Sequence, residues 1–151
     1  MTEEELVAQY GVGYSEDGRF PYHCYEAQSG GPFVRLRSAA GKPAEVLDIL
    51  VSDRLSCPSA KPPAKPFGKL ATDGGLNLGD SRDRVVELYG EPERESVADD
   101  LEIIRGAGSR DDRQPLGDTQ LFYYARDPET LHAIVFLRNG IVSAILISRF
   151  P

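Results

Sequence analysis

The chain has 151 residues, of which 40% are hydrophobic and 27% charged, and its formal net charge is -7 at pH 7. These values are typical of one folded domain, and no apolar run approaches the ~18 residues that cross a bilayer. The acidic balance argues against binding to a nucleic-acid backbone. We therefore expect no nucleic-acid partner and no direct membrane span.

The start of the chain leaves the compartment open. Met1 is followed by Thr2-Glu3-Glu4-Glu5, which has neither the basic nor the apolar region of a secretory signal. Either the protein is cytoplasmic, or a signal has been removed and Met1 is not native. The two cysteines, Cys24 and Cys57, fit a disulfide in an exported protein and two reduced thiols in a cytoplasmic one.

An internal repeat is the main clue to the fold. Residues 5–11 (ELVAQYG) are echoed by residues 84–90 (RVVELYG), and three strand-like runs follow each copy. A repeat of this kind usually dictates the architecture. We predict an α+β fold: a tandem repeat of a helix followed by an antiparallel three-stranded meander, joined into one antiparallel sheet with the helices on one face.

The first half begins with a helix start signal. Thr2 followed three residues later by Glu5 forms a capping box, which predicts a helix over 3–10 that Gly11 ends in a left-handed conformation. Its apolar face contains Leu6, Val7 and Tyr10. Strands are predicted at 22–27, 33–37 and 46–52.

A proline-rich stretch separates the halves. Four prolines between positions 57 and 66 exclude a helix or a central strand there. We therefore divide one compact domain into a first repeat at 1–56, a linker at 57–74 and a second repeat at 75–151.

The second half repeats the order of the first. Asp80 or Ser81 caps a predicted helix over 82–89, which Gly90 ends. Residues 91–118 form a long polar excursion in which only 101–104 could make a strand. The remaining strands are predicted at 120–125, 132–138 and 141–148, with Asn139-Gly140 as a type I′ hairpin turn.

The last predicted strand has apolar side chains on both of its faces. Ile141, Ile145 and Ile147 fall on one face, and Val142, Ala144 and Leu146 fall on the other. A strand of this kind is covered on both faces. We expect the helices on one side, and either a partner or the acidic 91–118 excursion on the other.

Residues 75–92 (GLNLGDSRDRVVELYGEP) resemble the helix region of the SmpA/OmlA-type outer-membrane-assembly lipoproteins and of the beta-lactamase inhibitory proteins. These families share a leader ending in "lG-s-x-x-x-V", a helix, "lG-x-P", a tyrosine-bearing strand and a hairpin. Tyr123-Tyr124 and the hairpin over 136–145 fill the later places. The resemblance spans about 75–150. It implies tandem helix-plus-sheet units, no catalysis, and a protein-binding or scaffold role outside the cytoplasm, in the periplasm or secreted.

Four tyrosines are the predicted partner-binding residues. Tyr22, Tyr25, Tyr123 and Tyr124 fall on corresponding strands of the two halves. Tyrosine is favoured at protein interfaces because it buries area and keeps a polar tip. The alternative is that these rings complete the core. The partner itself is not identified by the sequence.

The residues capable of chemistry form no recognisable catalytic or metal motif. His23 and Cys24 are neighbours on a predicted strand and point to opposite faces, so they cannot act together. The alternative function is a small-ligand-binding or thiol-dependent protein that uses Cys24, His23 or His132. A Cys24–Cys57 disulfide would contribute roughly 3–4 kcal/mol, and two free thiols are the other reading. We predict no catalytic residue, metal or cofactor.

Overall fold

The computed structural model describes residues 1–14, 22–39, 45–97, 116–124 and 132–149. They form two helices and one antiparallel sheet of seven strands, which confirms the α+β class. The helices are α1 (Glu3–Tyr10) and α2 (Arg82–Tyr89). The strands are β1 (Tyr22–Glu26), β2 (Phe33–Ser38), β3 (Val46–Ser52), β4 (Arg94–Val97), β5 (Thr119–Tyr123), β6 (His132–Arg138) and β7 (Ile141–Ser148).

The sheet joins the two halves of the chain at its middle. The strand order is β1-β2-β3-β7-β6-β5-β4, so the third strand of the first half pairs with the last strand of the second. The β6–β7 hairpin turns at Asn139 and Gly140 with φ of 54° and 75°, as a type I′ turn requires.

Both helices begin with a side-chain cap. The Thr2 hydroxyl accepts from the Glu5 N–H at 3.2 Å, and the Glu5 carboxylate accepts from the Thr2 N–H at 2.8 Å, which confirms the capping box. In α2 the hydroxyl of Ser81 accepts from the Arg84 N–H at 3.1 Å, so Ser81 is the cap rather than Asp80.

Both helices end at a glycine of nearly identical conformation. Gly11 has φ 79° and ψ 176°, and Gly90 has φ 81° and ψ -173°. The predicted end points are confirmed. Gly11 has the positive φ that a left-handed conformation requires, but it combines this φ with an extended ψ, a region that is essentially restricted to glycine.

The two helices cover the same face of the sheet, which we call the helix face. Leu6 of α1 packs in a cluster with Tyr25, Val34 and Leu36. Val85 of α2 packs in a second cluster. That cluster also contains Leu76, Leu121, Val135, Leu137, Val142 and Ile145. The register, in which Val34 is opposite Val51 and Val51 is opposite Ile145, places all these strand residues on one side.

The opposite, second face is buried over β3, β6 and β7. Leu50, Phe136, Ala144 and Leu146 form a cluster there, each at most 2% exposed. Leu116, from the end of the predicted acidic excursion, packs into the same cluster. Leu116, a described residue of that excursion, therefore packs on the apolar second face beside β7.

A bulge overturns the predicted faces of the start of β7. Phe136 pairs with Ala144 but Leu137 pairs with Val142, so the extra residue Ser143 reverses the alternation. Val142 consequently packs on the helix face, while Ile141 is 45% exposed. The prediction that Val142 and Ile145 lie on different faces of the sheet is wrong, because it assumes that side chains alternate strictly along the strand and so ignores the inserted residue.

Strand β4 was not predicted. Arg94–Val97 reads R-E-S-V, has no buried residue and pairs only with β5 among the described strands. An edge strand exposed to solvent needs no apolar alternation, so its sequence carries no clear signal. The predicted strand at 101–104 lies outside the described residues.

The segment 57–66, which we call the strap, contains no helix or ladder strand and lies along the outer edge of β1. The Glu26 N–H donates to the Lys61 carbonyl at 2.9 Å, and the Lys61 N–H donates to the Cys24 carbonyl at 3.2 Å. The Ala64 N–H donates to the carbonyl of Tyr10 at 2.8 Å. The proline-rich stretch is therefore docked onto the sheet edge and onto the end of α1.

Gly117 lies against the bulged hairpin, and its replacement offers a first test of the fold. A β-carbon at Gly117 would lie 2.5 Å from the Leu137 carbonyl oxygen. We expect Gly117→Ala to lower the free energy of unfolding by about 1–3 kcal/mol, as overpacking usually does. Gly68→Ala is the control, because a β-carbon there meets nothing within 4 Å. Equal urea midpoints for the two variants would contradict this packing.

Candidate partner-binding site

Two of the predicted partner-binding tyrosines hold the helices to the sheet. The Tyr25 hydroxyl donates to the carbonyl of Gly11 at 2.8 Å, and the Tyr123 hydroxyl donates to the carbonyl of Gly90 at 2.9 Å. Tyr25 is fully buried, so its ring offers no surface to a partner. Tyr123 is half-buried and packs against the α2 cluster. Their observed contacts match the alternative reading, in which the rings complete the core.

The burial of Tyr25 predicts a pH effect. Burial raises its pKa to about 12 from an ordinary value of 10. Since the fold favours the neutral phenol, this contribution to stability is complete below pH 10 and is lost as pH rises towards 12. At pH 8 we expect Tyr25→Phe to cost about 1 kcal/mol, and the gap to wild type to shrink above pH 10. Urea unfolding of both proteins across this range is the measurement, and a constant gap would contradict it.

The other two tyrosines lie on the second face. Tyr124 is 42% exposed. Its ring stacks on Phe122 with centroids 5.9 Å apart and meets His132 edge-on at 5.9 Å. The Arg94 guanidinium lies 4.1 Å from the centroid of the Phe122 ring, a cation–π distance. We call Arg94, Phe122, Tyr124 and His132 the aromatic patch.

A row of polar side chains connects Tyr22 to this patch across the second face. In the register, Tyr22 is opposite Arg37, Arg37 opposite Asp48, Asp48 opposite Ser148, and Ser148 opposite His132. Neighbouring pairs of this kind have β-carbons close enough to interact. The predicted residues Tyr22 and Tyr124 therefore lie at the two ends of one continuous row, which we call the transverse row.

The centre of the transverse row is a buried ion pair. Asp48 has a fully buried side chain and accepts from Arg37, whose side chain is 16% exposed. Burial raises the pKa of Asp48, and the positive charges of Arg37 and Arg35 act in the opposite direction. Burial likewise lowers the pKa of Arg35, and Asp48 opposes this shift. The carboxylate thus pairs with Arg37 within the row and interacts electrostatically with Arg35, which lies on the same face.

The residues of the alternative function are not brought together. Cys24 lies at disulfide-bonding distance from Cys57, with Cα atoms 6.6 Å apart, and in this form neither offers a thiol. His23 is on the helix face, where its Nε2 is 2.9 Å from the Glu3 carboxylate. His132 is on the second face, with three strands between β1 and β6. Among the described residues, no three His, Cys, Asp or Glu side chains form a metal-binding group.

Sequence reasoning missed Arg94 as a member of the patch. The residue lies in an acidic stretch and in the strand that was not predicted. Its place follows from the pairing of Arg94 with Phe122, which no local pattern specifies. The sequence signal that could have indicated its role is the position of Arg94 at the start of a short run that follows Gly90, the residue that ends α2.

Comparison with known proteins adds no assignment. No protein-family model, curated protein or solved structure matches the chain. Neither described helix has the length and apolar character that a membrane crossing requires.

Proposed function

We propose that this protein is a non-enzymatic protein-binding or scaffold module that binds its partner with the second face of the sheet. The aromatic patch carries the proposal. Tyr124 is exposed, yet Phe122 and His132 pack against its ring. An aromatic side chain that is already ordered loses little conformational entropy on binding. Tyrosine and arginine are also the residue types most enriched among binding hot spots.

The transverse row supplies the rim of this interface. It extends from Tyr124 to Tyr22, with aromatic rings at both ends and the polar side chains of Ser148, Asp48 and Arg37 between them. Aromatic anchors combined with polar groups are typical of a protein-binding surface. The ion pair of Arg37 and Asp48 fixes the middle of the row. A partner that lies across the strands would contact both ends.

We further propose that the two halves are copies of one helix-and-three-strand unit, to which the second half adds the edge strand β4. We propose that this unit is related to the units of the families that the sequence resembles. Three matched features support this. Each helix has a hydroxyl cap, each ends at a glycine whose carbonyl accepts from a strand tyrosine, and each cap residue bridges to the chain at the beginning of the last strand of its half. The bridges are Thr2 to Glu45 and Ser81 to Ile141.

An exported, periplasmic or secreted location agrees with this proposal, and a cytoplasmic location is the alternative. The pairing of Cys24 with Cys57 supports export, because such bonds persist in oxidising compartments. Alkylation and mass spectrometry of protein taken from its native source, with and without reductant, would separate a bonded pair from two thiols.

Photo-crosslinking tests the binding face. A photoreactive phenylalanine analogue is placed at position 124 and, as a control, at position 89. Tyr124 and Tyr89 are 42% and 41% exposed, but only Tyr124 is on the second face. The Tyr89 hydroxyl contacts Thr72, and its ring contacts Tyr123. We expect a specific adduct from position 124 alone.

The affinities of two alanine variants for the captured partner then test whether Tyr124 contributes to binding. Tyr124→Ala is expected to weaken binding by at least about 30-fold, the effect of a hot-spot residue, while Tyr89→Ala leaves it unchanged. Crosslinking from position 89 alone, or equal affinities for the two variants, would refute a binding role for the second face.

A further inference from the structure

The helix face contains a cavity that lies beside the core cluster of Leu6 and outside the proposed partner site. Its volume is about 310 Å³. It is half open to solvent and is bordered by α1, by β2, β3 and β7 and by the segment that follows the strap. Tyr10, Ile49, Phe67, Leu70 and Ile147 supply apolar walls, and Arg149 lies at the rim. The rings of Tyr10 and Phe67 stack with centroids 4.5 Å apart and form one side.

Ile49 shows why the cavity exists. It is on β3, the third of seven strands, and faces the helices, yet it is 42% exposed. An apolar side chain near the centre of the helix-covered face would ordinarily be buried. Leu6 of α1 packs over β1 and β2, and Val85 of α2 packs over β5, β6 and β7. Ile49 and Ile147, which are opposite each other in the register, lie in the gap between them.

The size and chemistry of the cavity define its ligand. An apolar cavity of ~150 Å³ can hold a benzene molecule, and small-molecule sites begin near ~300 Å³. The charged side chain at the rim is Arg149. Its guanidinium is 3.5 Å from the Glu45 carboxylate, and both side chains are more than half exposed. The Asp48 carboxylate, although its residue also lines the cavity, is bound to Arg37 on the second face.

We infer that this cavity binds a small amphipathic anion, a medium-chain carboxylate whose apolar chain lies against Ile49, Ile147 and Phe67. Its carboxylate pairs with Arg149 in place of Glu45. Walls with few polar groups hold water poorly, so displacement of that water by an apolar chain is favourable. The site is separate from the aromatic patch, on the opposite face of the sheet, and does not depend on the proposed partner.

Titration with octanoate, followed by ¹H–¹⁵N NMR of the full chain, tests the inference. We expect saturable shifts at the amides of Ile49, Leu70 and Ile147. Ile49→Trp fills the cavity and is expected to weaken octanoate binding at least tenfold. Val97→Trp is the control, because Val97 is 58% exposed on β4, away from the cavity. Shifts confined to other regions, or equal affinity in the two variants, would overturn the site.

The charge of the ligand is tested separately. Arg149→Gln should weaken octanoate three- to fivefold, the scale of an exposed ion pair, and leave 1-octanol unaffected. Glu45→Gln should strengthen octanoate, because it removes the competing carboxylate. Arg84→Gln, whose guanidinium pairs with Glu87 on α2, is the control. Identical responses of octanoate and 1-octanol to Arg149→Gln would overturn the role of Arg149. These variants do not alter any residue of the aromatic patch, which carries the partner-binding proposal. The ligand site and the partner site can therefore fail independently.

Discussion

Reduction of the Cys24–Cys57 pair is expected to lower the free energy of unfolding by about 4 kcal/mol. The cysteines are 33 positions apart, and a cross-link that closes a loop of this length restricts the unfolded chain by roughly that amount. Both cysteines are at most 3% exposed, so the bond also holds the strap against β1. Urea unfolding in the presence and absence of dithiothreitol is the measurement.

The matched control for this prediction is Cys57→Ser. It should unfold at the midpoint of the reduced wild type and should not respond to reductant. Coincident midpoints of oxidised and reduced wild type would show that the cross-link contributes no stability. A reductant-dependent shift in Cys57→Ser would assign the effect to something other than this pair.

Loss of the buried carboxylate in the transverse row is expected to cost about 3 kcal/mol. Asp48→Ala removes the charge that Arg37 and Arg35 share, and removal of one partner of a buried ion pair leaves the other poorly compensated. The value is at the lower end of the usual range, because Arg37 keeps some contact with solvent. Urea unfolding of the variant at pH 7 provides the test.

Two variants separate charge from shape at this position. Asp48→Asn keeps the shape and one acceptor oxygen, so it should lose less stability than Asp48→Ala. Glu45→Ala breaks the exposed pair with Arg149 and should change stability by less than about 1 kcal/mol. If Asp48→Ala proves as mild as Glu45→Ala, the buried pair has no stabilising role.

Most of the regular structure could be predicted because local signals and packing agree. The cap at Thr2 with Glu5, the glycines that follow both helices and the Asn139-Gly140 turn each specify a backbone conformation without long-range information. The bounds predicted for α1, α2, β3, β6 and β7 coincide with those observed. In these segments the spacing of the hydrophobic residues and the residues at the ends of each element indicate the same type of element and the same bounds.

The errors occur where pairing decides the outcome. The bulge at Ser143 depends on how β7 meets β6, and β4 exists through its pairing with β5. The alternation of apolar and polar residues along one strand predicts neither the bulge nor the pairing of β4. The same limit applies to the candidate site, because Arg94 reaches Phe122, and Tyr22 joins the row of Tyr124, only through the register of the sheet.

The tyrosines show a subtler limit. The sequence identified all four as residues of the strands but could not separate those that bind the helix ends from those that face outward. Tyr25 and Tyr123 differ from Tyr124 because a glycine carbonyl at the end of a helix lies within reach of their hydroxyls. That distance depends on how helix and sheet pack, which no spacing in the sequence reports.

The strap has a consequence for aggregation. A bare sheet edge is a template for strand addition by another molecule, and on β1 the outward backbone groups of Cys24 and Glu26 already bond to Tyr14 and Lys61. Because a bond at Cys57 fastens the strap there, its reduction releases one end of this cover. The oxidation state of one cysteine pair would then govern whether copies of the chain remain separate or join through their edges, so handling in reductant should promote self-association.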